Sequence, residues 1–520
     1  MNTNSKQPAR TIDADDKISA LISNSSAIQA LASAVEGTLG PKGLNCMLVD
    51  RFGDVTITND GSTILDRIEA NHPAAGILIR AAKSQDAEVG DGTTTTVVLA
   101  SALITEGINQ VSRGVPVTKV IEGMSIAVQK ALDVISKAAT PITGLDDPIL
   151  RQAAYISGRE CADISDLVVS AIQLIGKDIL MDPAFRLADA IVAKEGAENE
   201  VFMGLIIDKE RMNSLMPHEA INPIILVVND ALEPEQMEDD ALGTESGFAR
   251  YLHLQSEFKA GIQKIINMGV KVVAVYKSVS DIAEEMLTDA GVIVLRRLSS
   301  ADLTRIAEHT GARGIKRTSL SKPADELLRF TGRCQRVYED ERLEHTRIIG
   351  GAGKPAATIL VGASTREVKD ERKRIADDAA SAAQAVVKGG STPGGGSIEI
   401  AAAREVYALR ESIRGMAAYG AICVAQALKK PLSQIVTNAG FNPLEKVEDV
   451  ITAQSSADSI SLAINCDTGE VADMCKLGVF DPALVKMHAL KTAAEVAEAI
   501  LRINTIIRKR ESDQPAIGGM

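Results

Sequence analysis

The chain has 520 residues, too many for one ordinary core; at roughly 100–200 residues per domain, two to four domains are expected. It is 45% hydrophobic and 24% charged, the make-up of a folded globular protein. A net charge of −13 without a long basic run, no Trp and 3% aromatic residues argue against nucleic acid as the main partner and against aromatic platforms for bases or sugars.

The first residues, MNTNSKQPARTIDADDK, lack the apolar core of a signal peptide, and no run of about 18 uncharged apolar residues follows. A cytoplasmic protein without a membrane span is therefore expected. Ile18, Leu21, Ile22, Ile28, Leu31 and Val35 recur at helical spacing up to Gly37. Residues 45–49 and 55–58 read as a hairpin turning at Phe52-Gly53-Asp54, and helical stretches at about 74–87 and 94–110 flank a Gly/Thr-rich loop. From about 200 to 357 the rhythm changes. Strand-like runs at 204–207, 223–228, 270–276 and 292–295 alternate with a helical segment at 280–290 and another starting at Ser300, an α/β pattern with some parallel pairing. A longer, polar, helical insert interrupts it between about 232 and 268, where Phe248, Tyr251, Leu252 and Leu254 are either a contact surface or one packed side of a helix. From about 391 the chain is helical and Ala-rich again. This order implies one domain interrupted by another, with joints at about 144–199 and 358–390. Arg508-Lys509-Arg510 reads as a solvated helix end, and 515–520 as a small tail or a frayed terminus. The six cysteines (Cys46, Cys161, Cys334, Cys423, Cys466, Cys475) form no CxxC and suggest neither zinc nor disulfides.

Chemistry concentrates in four loops. In Glu88-Val89-Gly90-Asp91-Gly92-Thr93-Thr94-Thr95-Thr96, glycines let the backbone wrap a ligand, and the threonines open a helix whose dipole favours an anion. Asp91 beside phosphates suits Mg²⁺, which takes one or two carboxylates plus phosphate oxygens and water. Taken alone, the loop is equally a helix N-cap turn. Thr38-Leu39-Gly40-Pro41-Lys42-Gly43 is a helix stop or a ligand loop. Thr58-Asn59-Asp60-Gly61-Ser62-Thr63 puts an acid at a tight turn, for chemistry or for the backbone. Ser391-Thr392-Pro393-Gly394-Gly395-Gly396-Ser397 is a second close-approach loop or a hinge.

In this order and at these separations, TLGPKG, NDGST, EVGDGTTT and PGGGS resemble the ATP site of the chaperonins, and the resemblance covers essentially the whole chain. VGDGTTTTVVLAS, INCDTGEV with LGVFDP, and the polar insert are more similar to the archaeal type (group II) and its bacterial relatives (group III) than to the bacterial type that needs a separate lid. The resemblance implies an α+β multidomain fold. Residues 1–143 and 391–520 would form a helical equatorial domain with a small hairpin. Residues 144–199 and 358–390 would form an intermediate hinge domain, and 200–357 an α/β apical domain with a helical lid protrusion at about 232–268. It implies Asp60 and Asp378 as the hydrolytic carboxylates and Asp91 as the Mg²⁺ ligand, with K⁺ a further candidate. Thr38, Leu39, Gly40 and Pro41, Asn59 and Gly61, and Asp91, Gly92, Thr93, Thr94 and Thr95 would surround the phosphates. Gly395, Asn465, Asp467 and Asp481 would lie around base and ribose. Asp377 adjoins Asp378, about 100° away on a helix, and is the neighbour with which it is confused.

One position departs from the family pattern. Arg159, in Ile156-Ser157-Gly158-Arg159-Glu160-Cys161, stands where a lysine of a TGKG-like turn is thought to sense the terminal phosphate; arginine keeps the charge but binds oxygens as a planar fork. The resemblance further implies an ATP-dependent chaperone that encloses non-native polypeptides in a homo-oligomeric double ring of about eight subunits per ring, without a separate lid protein. A small-molecule ATP-dependent enzyme would need a His/Cys/Ser constellation that the sequence does not offer. A non-catalytic scaffold need not retain Asp60, Asp91 and Asp378, and all three are present.

Overall fold

The computed structural model describes residues 14–53, 55–235 and 244–505, and in it the chain divides into two compact units. One runs to Cys161 and resumes at Asp378; the other, Ala162–Asp377, is inserted into it. The early helical periodicity is realised as α1 (Ala14–Val35), followed by the hairpin β1 (Cys46–Val49) and β2 (Val55–Thr58). Then come α2 (Gly61–Arg67), α3 (Pro73–Val89), α4 (Thr93–Ser112), α5 (Val117–Ala138) and α6 (Pro148–Ser157).

The inserted unit starts with α7 (Ala162–Ile175) and α8 (Lys177–Leu180) and contains two sheets. The six-stranded one has the order β3 (Ile191–Glu195), β12 (Ala357–Ala363), β4 (Glu200–Ile207), β11 (His345–Ile349), β10 (Arg336–Asp340), β5 (Glu219–Ile221). The four-stranded one has the order β8 (Ile293–Leu295), β7 (Val270–Val275), β6 (Ile224–Val228), β9 (Gly332–Arg333), parallel from β6 through β8. Its crossovers carry α9 (Glu245–Asn267) and α10 (Asp281–Asp289); α11 (Ser300–Thr310) and α12 (Ala324–Leu328) follow. Alternate residues of β6 and β7 face different cores. Ile225, Val227, Val272 and Ala274 pack toward the other sheet, while Leu226, Val228, Val273 and Val275 pack with α9 and α10. The polar insert is thus two things. Phe258, Ile262 and Ile265 make the second half of α9 an ordinary crossover helix, whereas Phe248 and Leu252 in its first half are exposed. Residues 236–243 of the insert, and the C-terminal stretches at 508–510 and 515–520, lie outside the described residues.

The first unit resumes within α13 (Arg366–Gly389) and continues through β13 (Ser391–Pro393), α14 (Ser397–Leu409), α15 (Ala417–Asn438), α16 (Pro443–Ala457), β14 (Leu462–Ile464), β15 (Val471–Asp473), β16 (Phe480–Pro482) and α17 (Ala483–Leu501). Leu103, Ile104, Ala127, Val424, Leu428, Ala497 and Ile500 share one core. Each large side chain buried there contributes roughly 1.5–3 kcal/mol. Small residues set its tightness: a Cβ on Gly123 would stand 1.8 Å from the Ala417 carbonyl, so α5 and α15 touch backbone to backbone. This rigid bundle carries the candidate loops at its helix ends.

Candidate functional site

At the end of α1, Thr38 caps the helix, its Oγ1 donating to the Val35 carbonyl at 2.8 Å. The loop beyond is pinned, because Asn438 of α15 donates to the Glu36 and Leu39 carbonyls at 2.9 and 2.8 Å. Gly40 has φ +86 and packs on Ile435, leaving Gly40 and Pro41 exposed. Asp60 is the N-cap of α2 and accepts from Ser62 N at 3.1 Å, Thr63 N at 2.9 Å and Thr63 Oγ1 at 2.6 Å. The backbone reading of Asp60 is therefore correct as far as it goes, and its carboxylate is held in a fixed direction. Beside it, the Asn59 Oδ1 is buried with no hydrogen-bond partner among the described residues. A Cβ on Gly61 would stand 2.4 Å from Thr94 Oγ1 and 3.0 Å from Thr93 Oγ1. Only glycine lets the two loops meet, which places Asp60 against the start of α4. There, Thr94 and Thr95 are partly exposed, Thr93 is buried, and Thr96 Oγ1 caps the Gly92 carbonyl at 3.0 Å.

Asp91 is only partly accessible. Its Oδ1 accepts from Gly92 N and its Oδ2 from Ser157 Oγ at 3.2 Å, tying the loop to the end of α6. Burial pushes the Asp91 carboxyl up to about 6; the Gly92 and Ser157 hydrogen bonds oppose the rise and the nearby Asp481 carboxylate adds to it. Asp481 lies on β16, paired with Thr392 of β13, and Lys486 bridges it to Glu399, with both Nζ–oxygen distances 2.7 Å. Burial works against the Lys486 charge, but the two carboxylates outweigh it and hold its pKa well above the ordinary lysine value. With every group ionised, Asp91, Asp481 and Glu399 set three negative charges against one positive, an excess of two.

Arg159 and Glu160 follow α6 in left-handed conformations, φ +53 and +61, where non-glycine residues are uncommon. This turn brings Arg159 Nη2 to 3.9 Å from Asp378 Oδ2. Asp377, by contrast, pairs along its own helix with Lys373 at 2.9 Å.

The Gly394–Gly396 turn fits closely between strands. A Cβ on Gly394 would meet Asp481 Cγ at 3.0 Å, and one on Gly395 (φ +64) would meet Met474 Sδ at 3.1 Å. Asn465 spends its Oδ1 on its own turn, accepting from Asp467 N at 2.9 Å, while Asp467 pairs with Lys42 at 2.6 Å and so joins the β14–β15 turn to the TLGPKG loop. Direct contacts thus connect the NDGST loop with GDGTTT, GDGTTT with Ser157, and the TLGPKG loop with Asp467. Gln85, Glu399 and Lys486 carried no signal in the sequence: Gln85 lies in the polar run Lys83-Ser84-Gln85-Asp86, and Glu399 and Lys486 are single charges in largely apolar stretches.

The family model for the TCP-1/cpn60 chaperonin family matches residues 31–511. The chain is 33% identical to thermosome subunit beta of Archaeoglobus fulgidus, over 95% of this chain and 93% of the relative. It is also 33% identical to thermosome subunit alpha of Thermoplasma acidophilum, over 95% and 92%. A crystal structure of a group III chaperonin in the open state superposes with a TM-score of 0.88 at 43% identity, covering 95% of this chain and all of that one. These matches do not favour the scaffold and small-molecule enzyme readings. The chain belongs to the TCP-1/cpn60 chaperonin family, within its group II and III branch, and is an ATP-dependent molecular chaperone.

Proposed function

We propose that the chain hydrolyses ATP at the loops of the first unit and uses the cycle to enclose non-native polypeptides. The observation that carries this is the meeting of Asp60, the α4 threonines, Asp91 and Ser157, with Asp378 3.9 Å from Arg159 in the same unit. The surplus negative charge around Asp91 fits a divalent cation. Among the described residues no three or more His, Cys, Asp or Glu side chains gather as a ligand set. Mg²⁺ at Asp91 would therefore take its other ligands from phosphate and water, with K⁺ a further candidate. The bound metal would neutralise phosphate charge. Asp60 and Asp378 orient the attacking water and accept its proton, the α4 N–H groups and Leu39–Pro41 backbone face the phosphates, and Arg159 senses the terminal one. Gly395 and Asp481 line the base and ribose together with Asn465 and Asp467.

In this reading residues 1–143 and 391–520 form the equatorial domain, 144–199 and 358–390 the hinge, and 200–357 the apical domain. The polar insert is the lid, so no separate lid protein is needed. Assembly is a double ring of about eight identical subunits per ring, working in the cytoplasm. No helix among the described residues is long and apolar enough to cross a membrane. Two experiments test the proposal. Electron microscopy with and without ATP and Mg²⁺ is expected to show stacked rings that close with nucleotide; persistent monomers would sink the chamber. Asp378→Ala is expected to retain nucleotide while losing roughly 10²–10⁴-fold in hydrolysis; an undiminished rate would remove Asp378 from the chemistry.

A further inference from the structure

Gln85 is fully buried in α3 and committed at both ends of its amide. Its Nε2 donates to the Asp91 carbonyl at 2.8 Å and points toward the Val485 carbonyl at 3.4 Å. With the N–H₂ so used, Oε1 faces His488 Nδ1 at 2.6 Å, and only a protonated Nδ1 can meet an amide oxygen. His488 therefore donates from Nδ1, and Thr492, one turn along α17, lies 3.3 Å from the same nitrogen. Gly92 closes over the pair: its φ is +81, and a Cβ there would stand 2.7 Å from Val485 Cγ1 and 3.1 Å from Gln85 Nε2. The floor of the loop is thus made by residues about 400 positions apart in sequence.

We infer that Gln85 and His488 are positioning residues for the metal and phosphate loop. They hold the Asp91–Gly92 peptide with its carbonyl turned inward, which fixes the direction of the Asp91 carboxylate and of the N–H groups that open α4. Neither residue touches nucleotide; both act through Asp91. The inference rests on the nucleotide reading above.

Its test uses the full-length protein, titrated calorimetrically with ADP with and without Mg²⁺. His488→Asn keeps a donor near the place of Nδ1 on a partly buried residue, His488→Leu removes it, and Gln85→Met keeps the volume without the amide. His488→Asn is expected to bind Mg²⁺–ADP within about twofold of the wild type, and the Leu and Met variants roughly tenfold more weakly, the worth of one hydrogen bond. Binding without Mg²⁺ should change much less. Amide hydrogen exchange over 92–95 should quicken in the Leu variant while the rest of α4 stays protected. Mg²⁺–ADP affinity and exchange in His488→Leu equal to the wild type would overturn the inference and leave the nucleotide site standing. A wild type that binds no nucleotide would overturn both.

Discussion

Two buried charge clusters, one in each unit, differ in whether they close on themselves. In the inserted unit Arg347, its side chain 8% exposed, donates to Glu200 at 2.7 Å, to His345 Nε2 at 3.0 Å and to Asp340 at 3.5 Å. Its guanidinium lies 5.1 Å from the Phe202 ring centre and 5.9 Å from that of Tyr338. Burial, then the Arg347 charge, pulls the His345 pKa down, so the ring stays neutral and can accept. Glu200 reaches solvent, which disposes of its share of the charge. In the first unit Lys486 bridges two carboxylates, Asp481 and Glu399, while burial, with the Asp481 charge adding to it, raises Asp91 to about 6. A cluster that meets its own demands is structural, whereas the other keeps surplus negative charge at a set of glycine-rich loops, where the proposed function puts a cation.

The largest way to break this contrast is Lys486→Met. Losing the cation that bridges Asp481 and Glu399 should destabilise the first unit by about 3–5 kcal/mol, read as an early urea transition, and added Mg²⁺ should recover only part of it. A midpoint equal to the wild type would mean that the triad carries little. Arg347→Met is the counterpart. It should cost about 2–4 kcal/mol, through unpaired Glu200 and Asp340, while leaving nucleotide affinity untouched. A change in affinity would show that the second cluster is not merely structural.

Asp91→Asn sharpens the comparison through pH. The native carboxyl lies near 6 and an unfolded aspartate near 3.8, so the native state holds the proton more tightly. Without divalent cations the stability contributed by this group is full below about pH 4 and is lost as pH rises through 6. The Asn variant, which cannot ionise, should therefore gain on the wild type across that window, reaching about 2–3 kcal/mol above it. Parallel melts at pH 4 and 7 decide it, and a constant gap would dismiss the buried charge. The smallest effect belongs to the left-handed turn. Glu160→Gly should stabilise by about 0.5–1 kcal/mol, since glycine adopts φ near +60 without a Cβ penalty; a loss would mean that the Glu160 side chain is used.

The sequence by itself determined the elements with local causes. Helical periodicity marked α1, α3 and α4, and the apolar runs of β6 and β7 were long enough to read as strands. Glycines and turn-forming acids marked all four loops, because a backbone that must bend sharply or approach another chain closely leaves few residue choices. The six-stranded sheet was mostly illegible: β3, β5, β10 and β11 are short or mixed in polarity, and the strand order requires pairings such as β12 between β3 and β4. Only the tertiary structure decided that the polar insert is half crossover helix, that Asp377 turns to Lys373 while Asp378 meets Arg159, and that Glu399, Lys486, Gln85 and His488 belong beneath the site. A turn is written in adjacent residues, but a buried charge or amide draws its meaning from partners the fold delivers from far along the chain.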